Sequence, residues 1–128
     1  RVHTARVGIH TRLMENAERR TVLVTDGEQR ATLAVVRSLG AAGHIVHVSA
    51  GAQRSLAAAS RFSHVEHIVA EALVDPDRFA SEIHTIVTVN RIDTIIPMTE
   101  PALLALLPVR DRFTGVLIAF ANVCTDSV

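Results

Sequence analysis

The chain has 128 residues, is 48% hydrophobic, and carries thirteen basic and thirteen acidic side chains. That length makes one domain with a real core, and the balanced charge offers no field for nucleic acid and no polybasic membrane anchor. All thirteen basic residues are Arg, so the lysine of a phosphate-binding P-loop and the amine of a Schiff-base enzyme are both absent.

The core must be aliphatic, because the four aromatics are all Phe. No apolar stretch approaches the roughly 20 residues of a membrane helix, and no secretory signal pattern is read in the chain. The single cysteine, Cys124, suits a reducing, cytoplasmic setting.

Residues 1–20 hold five Arg and two Glu without a long apolar run, and are expected to be a poorly ordered or loosely docked leader. Val22 to Val24 is a short β-branched run that stops at Asp26-Gly27, as a buried strand would. Ala31, Ala34, Val35, Leu39 and Ala42 then recur near a 3.6 period, predicting a helix from about Glu28 to Ala42 that Gly43 ends. Ile45 to Val48 is a second strand. Ser49 to Ser60 reads as a loop with a short helix near Ser55–Ser60, and Val65 to Val69 as a third strand.

Asp75-Pro76 has the chemistry of an N-cap and first helical residue. Phe79, Ile83, Ile86 and Val87 extend that helix to about Val89. Asp93 to Ile96 is a fourth strand, which Pro97 ends. Thr99 can cap a helix containing Glu100 and the Leu103/Leu104 and Leu106/Leu107 pairs, with Pro108 ending or kinking it. Gly115 precedes a fifth strand, Val116 to Phe120, and residues 121–128 form a tail.

Strands alternate with helices, and the strand runs are continuously apolar, as in strands buried on both faces. Both features predict a three-layer α/β/α domain over about residues 21–120, with a mainly parallel sheet of about five strands. Ligands of such sheets bind beyond the carboxyl ends of the strands. The loops to watch are Asp26–Gln29, Ser49–Gln53 and Met98–Pro101.

Asp26-Gly27-Glu28-Gln29 stands where a dinucleotide fold places its glycine-rich loop. Here one glycine sits between carboxylates, which would repel a pyrophosphate. The same residues also read as helix caps: Thr25 with Glu28, and Asp26 with Gln29, have capping-box spacing. Thr99-Glu100 reads either as a polar contact to a small substrate or as an N-cap with a carboxylate favoured by the helix dipole.

His44-x-x-His47 and His64-x-x-His67 lack companion ligands and read as solvated strand-edge histidines, so no metal site is expected. Cys124 reads as an inert or merely oxidisable thiol. No nucleophile–base constellation is visible.

The segments TVLVTDGEQRATLAVVRSLGAAGHIVHV, SLAAASRFSHVEH, VDPDRFASEIHTIV and IDTIIPMTEPALLALLPVRDRF together resemble the N-terminal, pre-ATP-grasp domain of ATP-grasp ligases of the carboxylate–amine and carbamoyl-phosphate-synthase-like kinds. The opening also looks superficially like a response-regulator receiver, but neither the third nor the fourth strand ends in Asp, and the receiver's Lys is absent. The pre-ATP-grasp resemblance implies a Rossmann-like domain without the glycine fingerprint. It further implies a C-terminal ATP-grasp domain as partner, which would bind ATP and magnesium and activate a carboxylate as an acyl phosphate.

No cofactor would then sit in this chain, and it would not be catalytic alone. Asp26, Gly27, Glu28, Gln29, Thr99 and Glu100 are the residues onto which the resemblance places the substrate side of the interdomain cleft. The chain is expected to be a fragment, with residues 121–128 a truncated tail. The alternative is a stand-alone binding module that forms a homodimer through Leu103–Leu107 and Val116–Phe120.

Overall fold

A computed structural model describes residues 19–119. Most of the expected leader, Phe120 at the expected end of the fifth strand, the expected tail and Cys124 lie outside the described residues.

The elements follow in the order β1 (Thr21–Val24), α1 (Arg30–Ala41), β2 (Ile45–Ala50), β3 (Val65–Ile68), α2 (Pro76–Asn90), β4 (Thr94–Ile96), α3 (Glu100–Leu106), a 3₁₀ turn (Leu107–Arg112) and β5 (Leu117–Ile118). The strands form one sheet in the order β3-β2-β1-β4-β5, and every pairing is parallel. This is the doubly wound, Rossmann-like arrangement, with its strand order reversing between β1 and β4.

Two apolar layers flank the sheet because side chains alternate along each strand. Val22, Val24, Val46 and Val48 pack with Val36 and Leu39 of α1 on one face. Leu23 and Ile95 pack with Phe79, Ile83 and Val87 of α2 and Ala102 and Leu106 of α3 on the other. The predicted α/β/α layering is therefore present.

Helix ends follow their local chemistry. Gly43, at φ 96°, turns the chain after α1, and the His44 N–H reaches back to the Leu39 carbonyl. Asp75 caps α2 by accepting from the Arg78 N–H at 3.2 Å, ahead of Pro76. Thr99 caps α3 by accepting from the Ala102 N–H at 3.3 Å.

Two expectations are corrected. Residues 55–60 form turns rather than a helix; the Glu66 carboxylate accepts from the Arg54 and Ser55 N–H groups, both at 2.9 Å. His44 and His47 are buried, not solvated; β2 lies between β1 and β3, so His47 is on an inner strand. Within Leu103–Leu107, Leu106 is fully buried and Leu104 is 57% exposed.

Candidate functional site

The carboxyl ends of β1 and β4 diverge at the reversal of strand order, and a crevice opens there. It holds about 350 Å³ and is lined by side chains from the loops after β1, β2, β3 and β4, with Phe79 of α2 behind them.

Asp26 is the residue at the point of divergence. Its backbone is left-handed, φ 60°, a region that Asp and Asn enter more readily than other non-glycine residues. That turn aims the carboxylate across the sheet. Oδ2 accepts from the adjacent Thr25 hydroxyl and from the Thr99 hydroxyl at 3.1 Å.

Thr25 completes the link between the strands, because its Oγ1 also accepts from the Met98 N–H at 2.9 Å. Burial pushes the Asp26 carboxyl above its usual range; the hydroxyls of Thr25 and Thr99 oppose the rise, and the nearby Glu28 charge adds to it.

The expected capping box is absent, so that reading is corrected. Gln29 occupies the N-cap position of α1 and its side chain caps nothing. Asp26 and Thr25 face each other and β4, while Glu28 turns away to accept from the Gly51 N–H at 2.6 Å. The work of holding the turn falls to Thr32, whose hydroxyl donates back to the carbonyls of Asp26, at 2.7 Å, and Thr25, at 3.2 Å.

Gly27 lines no part of the crevice; it is a packing glycine. A Cβ there would meet Ser55 Oγ at 2.5 Å and Val48 Cγ1 at 2.8 Å. Asp26, Glu28, Gln29 and Thr99 do line the crevice, and Glu100 does not. Glu100 instead sits in the first turn of α3, where its charge complements the helix dipole.

Two further lining residues carry polar groups: Glu71, which the sequence reading did not single out, and Ser49, which it named only as the start of a loop. Glu71, in the loop after β3, approaches Gly51 as Glu28 does: a Cβ on Gly51 would stand 3.2 Å from Glu28 Oε2 and 3.6 Å from Glu71 Oε2. Ser49 is fully buried at the end of β2, and its hydroxyl has no hydrogen-bond partner among the described residues. The signal for Glu71 was its place just past the carboxyl end of β3, on the same rim as the other three loops.

The lining holds three carboxylates and no Arg or His. The N–H of its one glycine, Gly51, is already engaged by Glu28, and that of Gly27 behind it is bound to the Ser49 carbonyl at 2.9 Å. A nucleotide polyphosphate, and magnesium held through one, therefore do not fit this crevice: it offers like charge and no free glycine amides.

Elsewhere, His47 Nδ1 and His67 Nε2 are hydrogen-bonded at 2.9 Å, with ring planes 8° apart. Burial holds both imidazoles below the usual histidine range, and the neighbouring His67 and His64 lower His47 further. Among the described residues, no group of three or more His, Cys, Asp or Glu is placed to hold a metal ion. No helix among them is long and apolar enough to cross a membrane.

The chain matches no protein-family model and no curated protein. The class that fold and crevice define is a Rossmann-like α/β domain with an acidic switch-point site.

Proposed function

We propose that this chain is the pre-ATP-grasp domain of a cytoplasmic, ATP-dependent ligase of the carboxylate–amine or carbamoyl-phosphate-synthase-like kind. It supplies the scaffold and one wall of the substrate cleft, and a C-terminal ATP-grasp domain supplies ATP, magnesium and the phosphoryl chemistry. The observation that carries this reading is the switch-point crevice itself: a ligand site at the reversal of strand order, built of carboxylates and hydroxyls, without a phosphate cradle. Such a crevice binds a small polar substrate and leaves nucleotide binding to another domain.

The test is ADP release from Mg-ATP in the presence of candidate carboxylates and amines, with this chain alone and joined to whatever domain its reading frame encodes next. Release that needs the joined domain and falls at least tenfold in Asp26→Asn supports the reading. Release by this chain alone, or a following sequence with no ATP-grasp lysine, overturns it.

A second reading, a binding module that dimerises, draws on the exposure of Leu104 and of Leu117 on β5. Light scattering decides it: a dimer that Leu104→Ser converts to monomer favours this reading.

A further inference from the structure

We propose that the crevice binds an aliphatic diamine or polyamine, one ammonium beside Asp26 and another between Glu28 and Glu71. This deepens the reading of the crevice as the substrate side of the domain and rests on it. The acidic lining sets the sign of the ligand. A carboxylate or phosphate ligand would meet three acids and no cation, whereas an ammonium is drawn in.

The spacing of the acids sets the number of charges. Asp26 stands at the head of β1, bound to Thr99 from β4. Glu28 and Glu71 both come close to Gly51, at the head of β2. The lining thus brings acids from the loops after β1 and β3 to one crevice, enough to pair with two ammonium groups rather than one.

The rest of the lining sets the body of the ligand. Val69, Ala72, Leu73, Phe79 and Pro101 are apolar and suit methylenes. An α-amino acid would bring its carboxylate among these groups with no basic side chain to receive it.

The independent sign that a ligand belongs here is Ser49. Its side chain is fully buried, it lines the crevice, and its hydroxyl has no partner among the described residues. Buried hydroxyls are ordinarily hydrogen-bonded, and an ammonium N–H supplies the bond that the protein does not.

The experiment is isothermal titration of the chain, without ATP, with 1,4-diaminobutane and spermidine, against 4-aminobutanoate and glutamate. The expected result is saturable one-to-one binding of the diamine, at least tenfold tighter than 4-aminobutanoate, with no detectable binding of glutamate. Glu71→Gln and Glu28→Gln should each weaken it about tenfold and Ser49→Ala a few-fold. Asp77→Asn, an exposed acid on α2 outside the crevice, should change nothing.

Thermal melts establish that each variant is folded. Because Glu71 is not a core residue, its variant remains informative if Ser49→Ala fails to fold. Equal binding of 4-aminobutanoate overturns the proposal. So does non-saturating binding that Asp77→Asn weakens as much as Glu71→Gln, which is the signature of a counterion on an acidic surface. The readout is independent of ligase activity: ADP release with another amine, in a chain that does not bind diamines, sinks this proposal alone.

Discussion

The Thr99 hydroxyl donates to Asp26 Oδ2 at 3.1 Å across 73 positions of sequence. The same Thr99 oxygen accepts from the Ala102 N–H and so caps α3. One side chain thus fixes the start of a helix and the carboxylate at the sheet's switch point. Thr99→Ala should cost about 0.5–2 kcal/mol, the usual range for a lost N-cap. Thr99→Ser should restore most of it. Urea denaturation of the three proteins measures the difference, and an unchanged midpoint in the alanine variant would remove the dual role.

Asp26 itself is placed against stability. Its folded carboxyl binds a proton more tightly than the unfolded chain does, because burial raises it. Its contribution is therefore fully present below the unfolded aspartate value and is lost as pH rises through the folded value. Asn tolerates the left-handed backbone, and its Oδ1 can accept from both threonines. Asp26→Asn should melt a few degrees higher at pH 7, roughly 2–4 °C, with the gap closing as pH falls through the acid range. A lower Tm at pH 7 would contradict the burial argument.

The His47–His67 pair gives the opposite slope. Burial lowers both imidazoles in the folded state, so the unfolded chain binds more protons as pH falls. Stability should hold above the usual histidine range and drop below about pH 6.5. His67→Gln should flatten that drop. Melting curves at half-unit pH steps measure the slope, and identical slopes in wild type and variant would exclude the pair as its source.

Gly40 tests the packing under α1. Replacing a helical glycine by alanine ordinarily stabilises by about 1 kcal/mol. Here the added Cβ would run into the side chain of Phe62, and overpacking costs about 1–3 kcal/mol. Gly40→Ala should be net destabilising, and Phe62→Leu should not rescue it, because the nearest atom is Phe62 Cβ, which leucine keeps. A stabilising single substitution would show that Phe62 yields freely.

Within α3, neighbouring leucines should behave differently. Leu106→Ala empties a fully buried position and should cost about 2–5 kcal/mol. Leu104→Ser, at an exposed position, should stay within about 0.5 kcal/mol for the monomer. Equal losses would mean that Leu104 is covered in solution.

The sheet was legible because its signals are local and continuous. Val22–Val24 and Ile45–Val48 could only be buried strands, and Asp75-Pro76 announced α2 by cap chemistry alone. The rim of the crevice was legible as loops at carboxyl ends, but the partners of its side chains were not. Thr25 and Glu28 have capping-box spacing, yet Thr25 turns to Met98 and Glu28 to Gly51, contacts that exist only once β4 and β2 lie beside β1. Glu71 follows the third strand directly, but its approach to Gly51 likewise exists only once β3 lies beside β2. His47 was misjudged as exposed because one sequence does not say which strand lies inside the sheet.

The bracing around Gly27 has a mechanical consequence. Its N–H binds the Ser49 carbonyl, its own carbonyl accepts from the Ala57 N–H at 2.9 Å, and Glu28 holds the Gly51 N–H. The loops after β1 and β2 are therefore lashed together as one stiff wall. Across from them, the bonds of residues 70–75 go to their own turn and to α2: Val74 and Asp75 donate to the Glu71 carbonyl, and Ala70 donates to Glu82. The two sides of the crevice are thus built differently: the Asp26 side is bonded from strand loop to strand loop, and the side carrying Glu71 and Leu73 hangs on its own turn and on α2, like a vice with one fixed jaw.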